Sequence, residues 1–404
     1  MKLVFKDQAF SYQLLRTVGH SVYGGADIGE CLATANRIEE GDLESWYREW
    51  LKMSDRIHNA AEASLKACQQ VSARQAYLRA CNYYRAAEFF LHHNPTDPRI
   101  LATWQNSQTC FSKAAKLFSP TIEAVAIPYE STSLPSYFYK FDRSEQPRPT
   151  IIVFPGFDST LEELHFFTAA AAVMQGDNCL MFSGPGQGAL IRQQGIPFRP
   201  DWEQVIAPVV DYALTRSEVD PQKLVLIGHS FGGLLAVRAI AHEKRFAACV
   251  VQGGIFDMYQ SFLNFFPEPL QVQLQQADDA TINAIVHAAM SANASAKAMI
   301  GRGMWVFGVD SPAKLVRTIK SYTLKDVAKE VACPTLIVDA AQDHFLSDDG
   351  KQTYESLNYS KDYLLFSEEE GAEEHCQVGA LTLFHERLFT WLDGTLATLK
   401  NIRV

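Results

Sequence analysis

No stretch of this 404-residue chain is apolar for long enough to cross a bilayer, and no tract of lysine and arginine interrupts it. Its eight cysteines, Cys31, Cys68, Cys81, Cys110, Cys179, Cys249, Cys333 and Cys376, form no C-x-x-C pair and stand beside no paired histidines. Neither a zinc site nor a disulfide framework is expected, and buried reduced thiols in a cytoplasmic protein are. The formal net charge of −10 argues against a nucleic-acid partner, which would need clustered cations. Met1-Lys-Leu-Val-Phe-Lys-Asp-Gln8 lacks the apolar core of a secretory signal, and repeats and low-complexity segments are missing. Nothing calls for a metal or organic cofactor, so none is expected, and no membrane partner either. What remains is ordinary globular composition, 47% hydrophobic and 20% charged, in a chain long enough for two or three structural units.

Those units differ in period. Residues 27–119 read as helices. Asp27 can cap a first one, and Asp42 opens a longer one with Trp46, Trp50, Met53 and Ile57 at spacings of three and four. The aromatic stripes are read as helix-packing core. After Pro120 the period becomes strand-like. Glu123–Tyr129 and Leu134–Phe141 suggest an antiparallel pair. Short apolar runs follow at Thr150–Phe154, Asn178–Phe182, Leu224–Ile227, Ala248–Val251, Thr335–Asp339 and Tyr363–Phe366. Helical segments alternate with them (Leu161–Gln175, Trp202–Thr215, Phe231–His242, Lys351–Leu357), which implies an α/β fold with a mostly parallel sheet covered on both faces. Only residues 256–329 break the alternation. That stretch is helical without a convincing strand and is expected to be a lid. The division is therefore a helical N-terminal domain, 1–119, and a catalytic domain, 120–404, carrying the lid insertion.

Gly228-His-Ser-Phe-Gly232 sits between an apolar strand and a helical run, the context of a nucleophile elbow. A serine hydroxyl needs a base, and the base needs an orienting carboxylate, each at the end of its own strand. Asp343 follows strand 335–339 and is the favoured acid, with Asp339 nearer the strand and Asp348 or Asp349 farther on as alternatives. His375 lies in the loop after the next strand, one strand beyond the acid. His344 is its only local competitor. The expected triad is Ser230, Asp343 and His375. Two amides should form the oxyanion hole: Phe231, directly after the nucleophile, and Phe157, in the loop Phe154-Pro-Gly-Phe-Asp158. Ser183-Gly-Pro-Gly-Gln-Gly188 lacks the Lys-Ser/Thr of a phosphate loop and is read as a tight turn.

Six segments spanning nearly the whole chain carry a family resemblance. They are Tyr23-Gly-Gly-Ala-Asp-Ile-Gly-Glu30, the Gly-Asp-x-x-Ser-Trp at 41–46, Phe154-Pro-Gly-Phe-Asp-Ser-Thr160, Gly184-Pro-Gly-Gln-Gly188, the elbow, and Gly371-Ala-Glu-Glu-His-Cys-Gln377. The chain resembles a branch of the α/β-hydrolase superfamily that includes the fungal yellowish-green-type polyketide-shortening hydrolases and bacterial 2,6-dihydroxypseudooxynicotine hydrolase. The resemblance implies a helical N-terminal domain on a hydrolase core, a homodimer in many members, and an active site between the two parts. It also implies retro-Claisen cleavage of a carbon–carbon bond beside a carbonyl in a hydrophobic polyketide or aryl ketone. Some members use an acid beyond the triad, for which Asp257, and Asp158 with Glu162, are the candidates here. Carboxylesterase, thioesterase or acyl-peptidase activity, acyl transfer and condensation are the alternatives on the same residues. Pure ligand binding is disfavoured by an intact triad.

Overall fold

The computed structural model describes residues 1–346 and 349–402. Five helices open the chain: α1 (Gln8–Gly19), α2 (Ile28–Ala35), α3 (Leu43–Lys66), α4 (Gln70–Glu88) and α5 (Pro98–Ala115). Four of them start at an aspartate, Asp7, Asp27, Asp42 or Asp97, whose carboxylate accepts from first-turn amides that have no partner within the helix. The first helix is a correction, since the sequence reading begins helices only at Asp27. Its inward side mixes Phe10 and Leu14 with Ser11, Gln13, Arg16 and Thr17, all buried. A face that meets polar partners leaves no apolar period to read.

Eight strands follow: β1 (Glu123–Tyr129), β2 (Thr132–Tyr139), β3 (Arg148–Phe154), β4 (Asn178–Phe182), β5 (Val219–His229), β6 (Ala248–Gln252), β7 (Thr335–Ala340) and β8 (Lys361–Phe366). They form one sheet in the order β1-β2-β4-β3-β5-β6-β7-β8. The β1–β2 and β2–β4 pairs are antiparallel and the rest are parallel. Every expected strand is present, with ends shifted by a few residues.

The connecting helices are α6 (Ala170–Gln175), α7 (Gly188–Gln194), α8 (Glu203–Leu214) and α9 (Phe231–His242). Instead of one regular helix over 161–175, a π-helical turn, His165–Ala169, leads into α6. Between β6 and β7 lie α10 (Met258–Leu263), α11 (Glu268–Gln276), α12 (Asp279–Ala292), α13 (Ala294–Val306) and α14 (Pro312–Ile319). The chain closes with α15 (Asp349–Ser356) and α16 (Leu381–Ile402).

Alternation along the strands divides the core. Ile151, Val153, Val225 and Ile227 share one buried cluster with Trp46, Trp50 and Tyr77 of the N-terminal helices and Phe384 of α16. Ile152, Phe154, Leu224 and Leu226 share the other with α8, α9 and the inserted helices, through Phe262, Ile300, Phe307 and Leu315. Side chains one residue apart on a strand face opposite ways. The N-terminal helices and the sheet are thus joined by a continuous apolar core.

Candidate active site

β5 ends by turning sharply into α9, and Ser230 occupies the turn at φ 58°, ψ −128°. A side-chain-bearing residue adopts that conformation at a cost, and such strain concentrates at working sites. Close packing enforces it. A Cβ on Gly228 would collide with the Gly232 carbonyl, so neither strand nor helix can relax away. The Ser230 amide donates to the Gln252 carbonyl of β6 at 2.6 Å.

Three loops at the C-terminal ends of their strands converge there. His375 Nε2 lies 2.8 Å from Ser230 Oγ, and its Nδ1 lies 2.5 Å from Asp343 Oδ2. The other Asp343 oxygen accepts from the amides of Phe345 (2.9 Å) and Leu346 (3.1 Å), which aims the carboxylate at the ring. Burial opposes a charge on His375, but the adjoining Asp343 carboxylate outweighs it and raises its pKa well above the usual value. The alternative acids are engaged elsewhere. Asp339 accepts from the Tyr363 hydroxyl at 2.9 Å, and Asp349 accepts from the Phe256 amide and the Ser261 hydroxyl. Asp348 lies outside the described residues. His344 faces Glu374 at 3.4 Å and the Tyr12 ring, not the serine.

The loop after β3 lies against the elbow. A Cβ on Gly156 would sit 2.5 Å from the His229 carbonyl and 2.8 Å from Ser230 Cβ, so only glycine permits this approach. The Phe231 amide nitrogen would sit 3.1 Å from the same Cβ, and the Phe157 amide follows Gly156 directly in the chain. Neither amide donates to another group among the described residues. The 183–188 turn braces this loop. Gln187 Nε2 donates to the Pro155 carbonyl at 2.5 Å, and its Oε1 accepts from the Gly184 amide at 2.9 Å. Phe157, Phe198, Phe231, Phe307 and Tyr322 pack around it in edge-to-face and tilted pairs, with centroids 5.0–6.4 Å apart.

Two of the three candidate auxiliary acids are held as anions. Asp257 caps α10, accepting from the Tyr259 and Gln260 amides, and pairs with Lys325 at 2.8 Å. Burial alone would raise its pKa, yet Lys325 and the capped amides bring it below the usual value. Asp158 meets Arg16 at 3.0 Å and Arg302 at 3.6 Å; against the effect of burial, these cations bring it down to about 2. A carboxylate so held accepts protons poorly and has none to donate. Glu162 is the one that burial pushes up, to about 7, with its own backbone amide, Arg192 and Thr160 opposing the rise.

Sequence reasoning missed Arg16. Its guanidinium forks onto Glu163 (2.7 and 2.6 Å) while also reaching Asp158 and Ser159 Oγ (2.8 Å). Arg302 of α13 donates to the Phe89 carbonyl at 2.7 Å on the far side. Tyr12, also on α1, donates to the His375 carbonyl at 3.3 Å. The Asp7 cap was the available signal for α1. No local pattern announces a long-range ion pair.

A serine in a strained strand-to-helix turn, bonded to a histidine that meets an aspartate, on a mostly parallel sheet is the arrangement of an α/β hydrolase. The chain belongs to that superfamily and, within it, to the FrsA-like esterase family, whose model matches residues 41–268; the prolyl oligopeptidase family model matches 201–365. It is 34% identical over 419 residues to 20-hydroxy-prefusarin hydrolase FUS2 of Gibberella moniliformis, covering 100% of both chains. To hydrolase acrC of Aspergillus aculeatus it is 33% identical over 416 residues, covering 95% of this chain and 96% of that one. The solved structure of 2,6-dihydroxy-pseudo-oxynicotine hydrolase has the same fold, with a TM-score of 0.75 at 21% identity over 94% of this chain and 96% of that one. Among the described residues, no helix is long and apolar enough to cross a membrane, and no group of three or more His, Cys, Asp or Glu side chains is placed to hold a metal ion.

Proposed function

We propose that this enzyme cleaves a carbon–carbon bond beside a carbonyl in a hydrophobic polyketide or aryl ketone, by a serine-dependent retro-Claisen route. The supporting observation for the chemistry is the hydrogen-bonded line from Ser230 through His375 to Asp343. Ser230 Oγ attacks the ketone carbon as its proton passes to His375 Nε2, and the Phe157 and Phe231 amides receive the oxyanion. Collapse restores the carbonyl and expels the neighbouring carbon with the bonding pair, as an enolate that the other carbonyl of a 1,3-dicarbonyl stabilises. His375 returns the proton to that carbon. Water, deprotonated by the same ring, then attacks the acyl-enzyme, and a carboxylic acid leaves as Ser230 regains its proton.

The aromatic surround of the oxyanion loop favours a flat apolar substrate. A relative whose name specifies 20-hydroxy-prefusarin spans the whole chain at 34% identity, which favours a polyketide-like one. Ester hydrolysis is the second reading, favoured by the esterase family match over 41–268.

Matched substrates separate the two: an aryl 1,3-diketone and the ester of the same acyl group, each incubated with wild type and Ser230→Ala, with products identified by mass spectrometry. The expected result is Ser230-dependent scission of the diketone into acid plus ketone. Turnover of the ester alone would make the enzyme an esterase. Scission that survives in Ser230→Ala would remove the serine from the mechanism altogether.

A further inference from the structure

Behind the triad lies a second polar assembly, built from buried side chains. Gln252 ends β6 with its side chain fully buried, as are Thr168 and Gln377, with His229 2% exposed. Gln252 Nε2 donates to the Cys376 carbonyl and to Gln377 Oε1, both at 2.9 Å. The carbonyl can only accept, so the orientation of the amide is forced. Gln252 Oε1 must then accept from His229 Nδ1, and His229 Nε2 accepts from Thr168 Oγ1 at 2.8 Å. Gln377 in turn donates to the Asp339 carbonyl at 3.3 Å, four residues ahead of Asp343.

One side chain therefore ties together the strand that carries Ser230, the loop that carries His375 and, through Gln377, the strand that leads to Asp343. The His375 loop needs such a tie. Its next two residues, Cys376 (φ 55°) and Gln377 (φ 50°), both occupy the left-handed region without being glycine. That backbone persists only where its surroundings over-determine it. The bond to the Cys376 carbonyl falls inside this strained pair.

We infer that Gln252 is a positioning residue of this enzyme, holding His375 at bonding distance from Ser230 by bracing the left-handed turn behind it. The inference rests on Ser230 being the nucleophile. Burial lowers the His229 pKa to about 4, so the assembly stays uncharged at neutral pH. The titratable groups around it are His229 on β5, Asp339 on β7, and His375 and Cys376 in the last loop, with His385 of α16 and Glu163 acting on His229.

The test is the second-order rate of inactivation by an alkyl fluorophosphonate, which reports Ser230 activation without needing the natural substrate. It is measured from pH 5 to 9 on wild type, Ser230→Ala, Gln252→Leu and Gln252→Glu, with thermal melting in parallel. Gln252→Leu should react at least 30-fold more slowly than wild type. Gln252→Glu should approach wild type at low pH, where its protonated carboxyl still donates to the Cys376 carbonyl. It should fall progressively behind as that carboxyl ionises and turns an acceptor toward an acceptor. If wild type does not react, or Ser230→Ala reacts equally, the nucleophile assignment fails and the inference with it. If wild type reacts through Ser230 while a folded Gln252→Leu matches it, the positioning role is overturned. Should Gln252→Leu not fold, the Glu-to-wild-type rate ratio decides: a reversible fall with pH supports the role, and a flat ratio overturns it.

Discussion

Polar groups beneath the nucleophile are neutral, whereas those around the oxyanion loop are charged. Below Ser230, Gln252, Gln377, His229 and Thr168 exchange hydrogen bonds in which no formal charge takes part. Around the loop after β3, Arg16 of α1 forks onto Glu163, Arg85 of α4 adds a second cation to Glu163 at 3.4 Å, Arg192 of α7 pairs with Glu88 at 2.5 Å, and Arg302 of α13 reaches Asp158. The tasks differ. Bonds between neutral groups are short-ranged and directional, which suits fixing one ring against one hydroxyl. An extra charge beside His375 would also shift its pKa. Opposite charges attract over several ångströms and suit docking separate chain segments, provided every buried charge is paired. The oxyanion loop is thus gripped from the N-terminal helices and from the insertion, and the histidine is held from below by the core.

The largest effect should come from the one charge that enters the neutral side. Asp343→Asn removes the partner of His375 Nδ1 and should lower kcat by about 10⁴-fold, as carboxylate loss does in related triads. Because the His375 pKa is raised, wild-type kcat/KM should climb with pH through a limb above the usual histidine range, reporting loss of the imidazolium proton. In Asp343→Asn that limb should move to lower pH. A limb that stays in place would uncouple Asp343 from the base.

On the charged side, Arg16→Met should cost about 3–5 kcal/mol in denaturant unfolding, because Glu163 and Asp158 are left without their main partner. Arg16→Met combined with Glu163→Leu should recover part of that loss, which equal or additive losses would contradict. The surviving activity of Arg16→Met should show a fall in kcat larger than any rise in KM, since in the proposed mechanism this loop presents the Phe157 amide to the oxyanion.

Acid should discriminate between the two sides more gently. Glu163 and Asp158 are both held at about 2, below their usual values, by arginines that outweigh burial. Depressed carboxylate pKa values confer stability that is complete above the unfolded values, near 4, and is lost as pH falls toward 2. Melting temperature should therefore drop through that window in wild type and drop less in Arg16→Met. The same slope in both proteins would show that the cluster is not the source.

Smallest of all, Asp257→Ala should cost about 1 kcal/mol, the usual value of a helix cap, and leave kcat per folded molecule unchanged. A loss of kcat that outruns the loss of stability would reinstate Asp257 as a catalytic acid.

Local rules account for what could be read in advance. The elbow's glycines, the carboxylate past β7 and the histidine past β8 each stand at a strand end, where the chain must turn and side chains reach the sheet's rim. Strand periods survived because the sheet is apolar on both faces. α1 escaped notice because its buried side pairs Arg16 with Glu163, 147 residues away. Asp257 stayed open between two roles for a related reason: in sequence, a carboxylate after a strand looks alike whether it faces a substrate or, as here, meets two capping amides and a lysine.

By itself the sequence determined the α/β-hydrolase class, because a strained serine turn, a histidine and an aspartate are each encoded within a few consecutive residues at the end of a strand. Only the tertiary structure decided which carboxylates stay charged, which helices grip the oxyanion loop and which amide braces the histidine. Those depend on burial and on partners brought together from distant parts of the chain, and the free energy of a buried polar group is set by what surrounds it in space.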